Sequence, residues 1–477
     1  MISIILHLPF LNLPPKSIHL WRQCHTLAVA RNFYSEDMNI FKTRVDNRFD
    51  GNGITGSHFP SFEFLLAGIY QVTGEHFWVQ RLYSLLLHIF GIFGMYQLGY
   101  YLFKSRLLGG LAAWSYTWSP LLFYYGISAL PDNLALPFSI WGLYACLIWL
   151  DLTAIRSEKR WPFMILSFFF IAIAGLTKIQ YLALGFFVLA FLLINRKKYK
   201  SVDWLMFTGF GIIVSLICLF WYRYAILQIE RSGLVDFGIG FKPETNPSEA
   251  FDILFSNVVS ILPESILNYS GFVLFIFALF YLFKTRRAPK PLAIPFFVWS
   301  GVFVVYHLVE LGQMKHHDYY MMPYLPILSI LMGFGAFKML DTKYKKFAVF
   351  LIGLQPVLAC VRIIPARFLS KEQNAMQSFY DPSALKRLQE MVPDSALCIV
   401  GPDDSKCIYF YFLKKKGFGY SESLSKNEMA DYVNRGAKYI YTTQNELINN
   451  LDNSQFIGKK IGQEGEFLIY ALSTTTN

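Results

Sequence analysis

Residues 78–103 read WVQRLYSLLLHIFGIFGMYQLGYYLF, with one charge, Arg81, before the chain meets Lys104. A stretch of this length and composition predicts a helix that crosses a bilayer, because about 20 mostly apolar residues cover the roughly 30 Å of hydrocarbon. The same reading extends along most of the chain. Full spans are expected at 78–103, 106–126, 132–150, 162–178, 180–195, 203–228, 269–283, 291–310, 319–340 and 346–364. Residues 1–13 are apolar but short, and read as the end of a further span. Only 16% of the 477 residues are charged while 54% are hydrophobic. A water-facing chain of this size needs nearer a quarter charged. The expected fold class is an α-helical polytopic membrane protein of about 10–11 spans.

The charges sort by side. Lys104 and Arg106, Arg156 with Lys159 and Arg160, the run Arg196–Lys200, Lys284 to Lys290 with Arg286 and Arg287, and Lys343 to Lys346 all fall on one face when the spans alternate. Short basic loops stay cytoplasmic. The net charge of +11 therefore records orientation and does not imply a nucleic-acid partner. Residues 14–77, 229–268, 311–318 and everything after 365 are placed on the outer face. The division expected is a membrane domain 1–365, with first outer loop 14–77, and a soluble domain 366–477.

Beyond Asp381 the patterns alternate. Ala384–Met391, Lys406–Lys415 and Glu428–Asn434 have helical spacing, while Ala396–Val400, Ala437–Tyr441 and Phe467–Leu472 read as buried strands. A small α/β domain follows, with a supporting or acceptor-docking role. Cys398 and Cys407 could pair there if the space is oxidising; Cys146, Cys218 and Cys360 read as small core residues.

Chemistry-bearing residues collect at the outer ends of the spans. Trp21 to Phe33 is expected to be a helix, either an interfacial one whose Arg22 and Arg31 meet headgroups or one whose arginines recognise an anion. Glu63 sits in an apolar run, where an acid is kept for function or for a salt bridge to Arg31 or Arg81. Asp132 follows Pro131 and either caps its helix or acts in a site. Lys178 ends a span and either snorkels or binds. Lys315-His316-His317-Asp318-Tyr319-Tyr320 opens another span, suited to hydrogen bonding of a sugar or phosphate or, less readily, to a metal.

Several of these stretches together resemble a known group. They are Trp21-Arg22-Gln23 with Thr26, Ala30-Arg31-Asn32-Phe33, Arg44-Val45-Asp46, Phe59-Pro60 with Glu63, Arg81-Leu82, Pro131 to Ala135, Leu176-Thr177-Lys178, and Tyr319-Tyr320 with Pro323 and Pro326. The resemblance, over roughly residues 15–340, is to the bacterial dolichyl-phosphate-mannose-protein mannosyltransferase-like glycosyltransferases of the GT-C superfamily, which includes the aminoarabinose transferases. It implies an integral membrane enzyme of the cell (inner or plasma) membrane with its C-terminal domain extracytoplasmic. Such an enzyme takes a sugar from a polyprenyl-phosphate donor to a hydroxyl of a glycan, lipid or protein acceptor, with inversion. Relatives carry an Asp shortly before the Trp-Arg-Gln and another just before the Thr; here those places hold Ser17 or a neighbour and His25. The catalytic candidates are Asp46, first choice as base, with His25 second, and Asp132. Arg22, Arg31, Arg81 and Lys178 are the donor-phosphate candidates. Trp21, Gln23, Glu63, His316, His317, Tyr319 and Tyr320 are the substrate-binding ones. The metal question stays open, with Mg or Mn as the divalent cofactor to consider. Membrane lipid is a partner in either case. The alternative class is a non-catalytic carrier, flippase or assembly factor for polyprenyl-linked glycans, which would place ionisable groups at mid-span and break helices in repeated halves.

Overall fold

The computed structural model describes residues 2–49, 51–234, 240–285 and 290–473. Arg286 and Arg287 of the fourth basic cluster, and Asp50 of the first-loop turn, lie outside the described residues. The chain divides into two compact units. One comprises residues 1–12, 80–223 and 239–368; the other comprises 13–79, 224–238 and 369–477. The first outer loop thus shares a unit with the C-terminal segment.

The first unit is helical. Among the described residues six helices are long and apolar enough to cross a membrane: Phe77–Phe103, Asp132–Ala154, Arg160–Thr177, Ser201–Ser232, Asp318–Leu340 and Lys345–Phe368. The first of them starts, and the fourth ends, in the second unit. A seventh span is made if Pro247–Ile266 and Tyr269–Lys284, bent by 115°, count as one. Among the described residues the other expected spans are shorter. Ile179–Ile194 and Ala293–Val309 are apolar helices of fewer than 18 residues. The span expected at 106–126 is broken into Arg106–Thr117 and Pro120–Tyr125. Pro120 lacks the N–H that would continue the ladder. This is a multi-pass membrane protein with fewer full-length helices than hydropathy predicts. Small residues set the closest packing. A Cβ on Gly335 would lie 2.0 Å from the Leu274 carbonyl oxygen, and one on Gly333 2.7 Å from the Ala112 nitrogen. The helix Leu325–Leu340 therefore packs backbone to backbone against both Tyr269–Thr285 and Arg106–Thr117, the close approach that small residues allow in membranes.

The second unit joins two helices of the first loop to a sheet. Among the described residues the five strands are β1 Leu397–Gly401, β2 Lys416–Gly419, β3 Tyr439–Thr442, β4 Ile457–Glu464 and β5 Phe467–Leu472, in the order β2-β1-β3-β5-β4. β1 is parallel to both β2 and β3, while β5 runs antiparallel to β3 and β4. Three helices expected in the tail are present, at Pro382–Glu390, Ile408–Leu413 and Lys426–Asn434. Asp381 caps the first by accepting from the Ser383 N–H, and Ser425 with Glu428 forms a capping box on the third. Lys415 is wholly buried; its ammonium donates to the carbonyls of Gln389 and Val392 and to Asp394, tying the first helix to the sheet. Cys398 and Cys407, whose pairing was one possibility in the sequence, are both free. The Cys398 thiol donates to its neighbour's carbonyl at Ala396, and Cys407 lies against His25.

Candidate functional site

The expected site residues fall in both units, and each set has its own geometry. In the second unit the helix Leu20–Ser35 is buried on nearly every side, Arg22, Gln23, His25, Arg31 and Asn32 included. Of the two alternatives, the interfacial helix does not hold, because the tail helix Ile408–Leu413 packs on it. Its polar side chains therefore need partners. Gln23 donates to the carbonyls of Lys16 and Ile18 and so fixes the approach to the helix. Trp21 is half-buried.

Asp46 is 4% exposed. Its Oδ1 accepts from Asn32 Nδ2 at 2.9 Å, and its Oδ2 has no hydrogen-bond partner among the described residues. It lines a small hollow with His25, Ala28, Val45, Asn47, Leu234 and, from the tail, Ser405, Lys406 and Cys407. The hollow is about 10 Å³, room for one water or hydroxyl oxygen and not for a ring. His25 is held neutral: burial pushes its pKa well below the usual value, and the nearby Arg22 and His58 push the same way.

A chain of three buried side chains stands beside it. Arg22 Nη2 lies 3.3 Å from His58 Nδ1, and His58 Nε2 lies 3.0 Å from Glu63 Oε1. Arginine can only donate. His58 Nδ1 is therefore the acceptor, and Nε2 carries the proton given to Glu63. Ser57 Oγ also reaches Nδ1, at 2.9 Å. The partner of Glu63 is thus His58, not Arg31 or Arg81. His58 was missed in the sequence; its only signal was a histidine five residues before a buried acid.

Arg31 serves another hollow, of about 230 Å³, lined by Tyr70, Glu75, Gln389, Tyr411 and Lys414. Its Nε donates to Glu75 Oε1 at 2.9 Å, its Nη1 to the Tyr411 carbonyl at 2.9 Å, and its guanidinium carbon sits 4.4 Å from the centre of the Tyr411 ring. Burial raises the Glu75 carboxyl, but Arg31 and Lys414 outweigh it and hold the group below the usual range.

In the first unit, Asp132 is 1% exposed and does not cap its helix. Its Oδ1 accepts from Tyr181 Oη at 3.1 Å, and Lys178 Nζ stands 3.8 Å from Oδ2. Lys178 also lies over the Tyr319 and Tyr320 rings, 5.8 and 5.5 Å from their centres. Lys178, Asp132, Tyr319 and Tyr320 thus form one cluster, where an ammonium is held by a carboxylate and two aromatic faces. His317 packs on the same tyrosines, whereas His316 is exposed. Asp318 is taken by Tyr125 Oη at 2.5 Å and by Arg367 at 3.5 Å. Arg81 is 2% exposed and donates to the Ile127 carbonyl. Among the described residues no three His, Cys, Asp or Glu side chains are grouped to hold a metal, so the His-His-Asp run does not build one. An apolar cavity of about 620 Å³, lined by Trp149, Leu182, Val188, Phe207 and Phe210 among others, opens between helices of this unit.

Residues 57–222 match the family model for dolichyl-phosphate-mannose-protein mannosyltransferase. The fold is that of ArnT from Cupriavidus metallidurans. The apo crystal structure matches with a TM-score of 0.67 at 13% identity, over 98% of this chain and 96% of that one. The form bound to undecaprenyl phosphate matches with 0.66 at 11%, over 98% and 97%. The mycobacterial arabinofuranosyltransferase AftD matches with 0.52 at 13%, over 100% of this chain and 39% of that one. No curated protein matches the sequence. These findings support the mannosyltransferase-like GT-C resemblance read from the motifs.

Proposed function

We propose that this protein is an inverting glycosyltransferase of the cell membrane, moving a sugar from a polyprenyl-phosphate donor to an acceptor hydroxyl on the outer face. The observation that carries the reading is Asp46: a buried carboxylate with one oxygen fixed by Asn32, the other without a protein partner, lining a hollow the size of a hydroxyl oxygen. A general base needs hydrogen-bond reach to the proton it takes. In the proposed step the acceptor oxygen forms a bond to the anomeric carbon while its proton passes to Asp46. The bond from the anomeric carbon to the phosphate oxygen breaks, and the electron pair leaves with the lipid phosphate. Attack opposite the leaving group inverts the centre. Buried His25, neutral and beside the hollow, is the second candidate for the proton.

Growing charge on a leaving phosphate calls for fixed cations. Lys178, held by Asp132, is the proposed ligand in the first unit and Arg22 in the second. Arg31 and Arg81, both committed to protein carbonyls, are proposed as supports. ArnT was crystallised with undecaprenyl phosphate, which supports a lipid-phosphate donor for this fold. The 620 Å³ apolar cavity supports room for an isoprenoid chain.

The test is to offer the purified full chain a panel of polyprenyl-phosphate sugars with mixed membrane-lipid and glycan acceptors, following release of polyprenyl phosphate. Release with one donor supports transfer. Lipid-linked sugar that crosses proteoliposomes unhydrolysed, with no release from any donor, supports the carrier reading instead.

A further inference from the structure

The C-terminal sheet does more in this unit than cover the first loop. β2 is an edge strand, and among the described residues its outer side is met by the loop segment 46–48. Gly417 N–H donates to the Asp46 carbonyl at 3.1 Å, and Arg48 N–H donates to the Gly417 carbonyl at 2.6 Å. These two bonds define a parallel bridge between Asn47 and Gly417. Gly419 N–H adds a third, to Asn47 Oδ1 at 3.4 Å, and Lys416 pairs with Glu36 next to Arg48. An unpaired edge is a liability that covering removes, but edge protection alone does not require an acid at the bridge. Here the residue carrying the first bond is Asp46 itself, whose side chain is gripped from the other direction by Asn32. Residue 417 is glycine for the sake of the neighbouring strand: its φ is +148°, and a Cβ there would lie 2.0 Å from the Cys398 carbonyl oxygen of β1.

We infer that segment 46–48 is a sixth, parallel strand of the tail sheet, and that Asn47 and the edge of β2 are positioning elements for Asp46. The soluble domain then sets the register of the catalytic carboxylate instead of docking the acceptor. A side chain on a strand added to a rigid sheet is held more closely than one on a free loop, and small misplacement of a reacting group costs large factors in rate. This inference rests on the reading of Asp46 as base.

The test uses the full-length protein and two readouts. Hydrogen exchange of the amides at 45–48 is compared in wild type, Asn47→Ala and Asn47→Asp, with β1 and β3 amides as internal reference. Turnover is followed as undecaprenyl phosphate released from mannosyl-phosphoryl-undecaprenol. Expected is strand-like protection of 45–48 in wild type. Asn47→Ala should raise that exchange about tenfold, leave the β1 and β3 amides unchanged, and lower kcat about tenfold with KM unchanged; Asn47→Asp, which keeps an acceptor oxygen, should restore both. Loop-like exchange at 45–48 in wild type overturns the inference. So does loosened exchange in Asn47→Ala with full kcat. No release by the wild type from this donor or from any other of the polyprenyl-phosphate panel counts against the transferase reading, while the exchange data still decide whether the sixth strand exists.

Discussion

Replacing His58 with Phe removes the only described hydrogen bond to Glu63, a carboxylate 1% exposed whose other oxygen already has none. Deleting the donor leaves a buried acceptor unsatisfied, and a hydrogen bond to a charged group is worth about 1.5–3 kcal/mol. Phe fills the volume of the imidazole, so little of the loss comes from a cavity. For a unit of this size, about 2–4 °C of Tm goes with each kcal/mol. The expected drop is therefore about 3–12 °C, read as thermal unfolding of the full chain in detergent. Glu63→Gln keeps an acceptor for His58 Nε2–H and should cost only about 1 kcal/mol. The double variant His58→Phe with Glu63→Leu removes the stranded acceptor and should recover part of the loss, the remainder being the His58 Nδ1 acceptor that Arg22 no longer has. A single variant within about 2 °C of wild type, or a double variant no better than it, would refute the Arg22–His58–Glu63 chain as described.

The remaining predictions concern titration and thiols. His25 is kept neutral by the fold while the unfolded chain takes a proton near pH 6.5, so the unfolded state binds more protons below that value and stability falls as pH drops. The slope contributed is about 1.4 kcal/mol per pH unit below roughly 6.5; melting curves from pH 7.5 to 5.5 should show it, and His25→Gln should flatten them. The Cys24 thiol is pushed well up by burial, with Cys407 and Asp403 adding to it, and burial pushes Cys398 up to about 12. Peptide-resolved alkylation at pH 7.5 should therefore leave Cys24, Cys398 and Cys407 unmodified until the protein is unfolded, with the same result with or without reductant.

The helices were readable because length and apolar content alone dictate them, as at 78–103 and 203–228. The break between Arg106–Thr117 and Pro120–Tyr125 was also written in the sequence, at Pro120, but hydropathy averages over it. β2 and β4 were not readable. β2 is Lys-Gly-Phe-Gly, two glycines in four residues, and β4 carries Lys459, Lys460 and Gln463 on an edge with no apolar alternation. Both are strands because of what they pair with, β1 for the first and the hairpin partner β5 for the second, not because of local propensity. The site shows the same division. Asp46, Asn32 and Glu63 stood out by type and position, whereas the partners that fix them, His58, Asn47 and Gly417, come from contacts no local pattern encodes. The burial of the helix Leu20–Ser35 depends on the tail helix Ile408–Leu413, nearly 400 residues away, and so was invisible from its own spacing.

The most direct measurement is single-turnover sugar release by Asp46→Asn against wild type, using whichever polyprenyl-phosphate sugar the wild type consumes, with folding verified by an unchanged melting curve. Loss of a general base predicts a rate lower by about 10²–10⁴, with donor binding retained. Sugar release at the wild-type rate would contradict it.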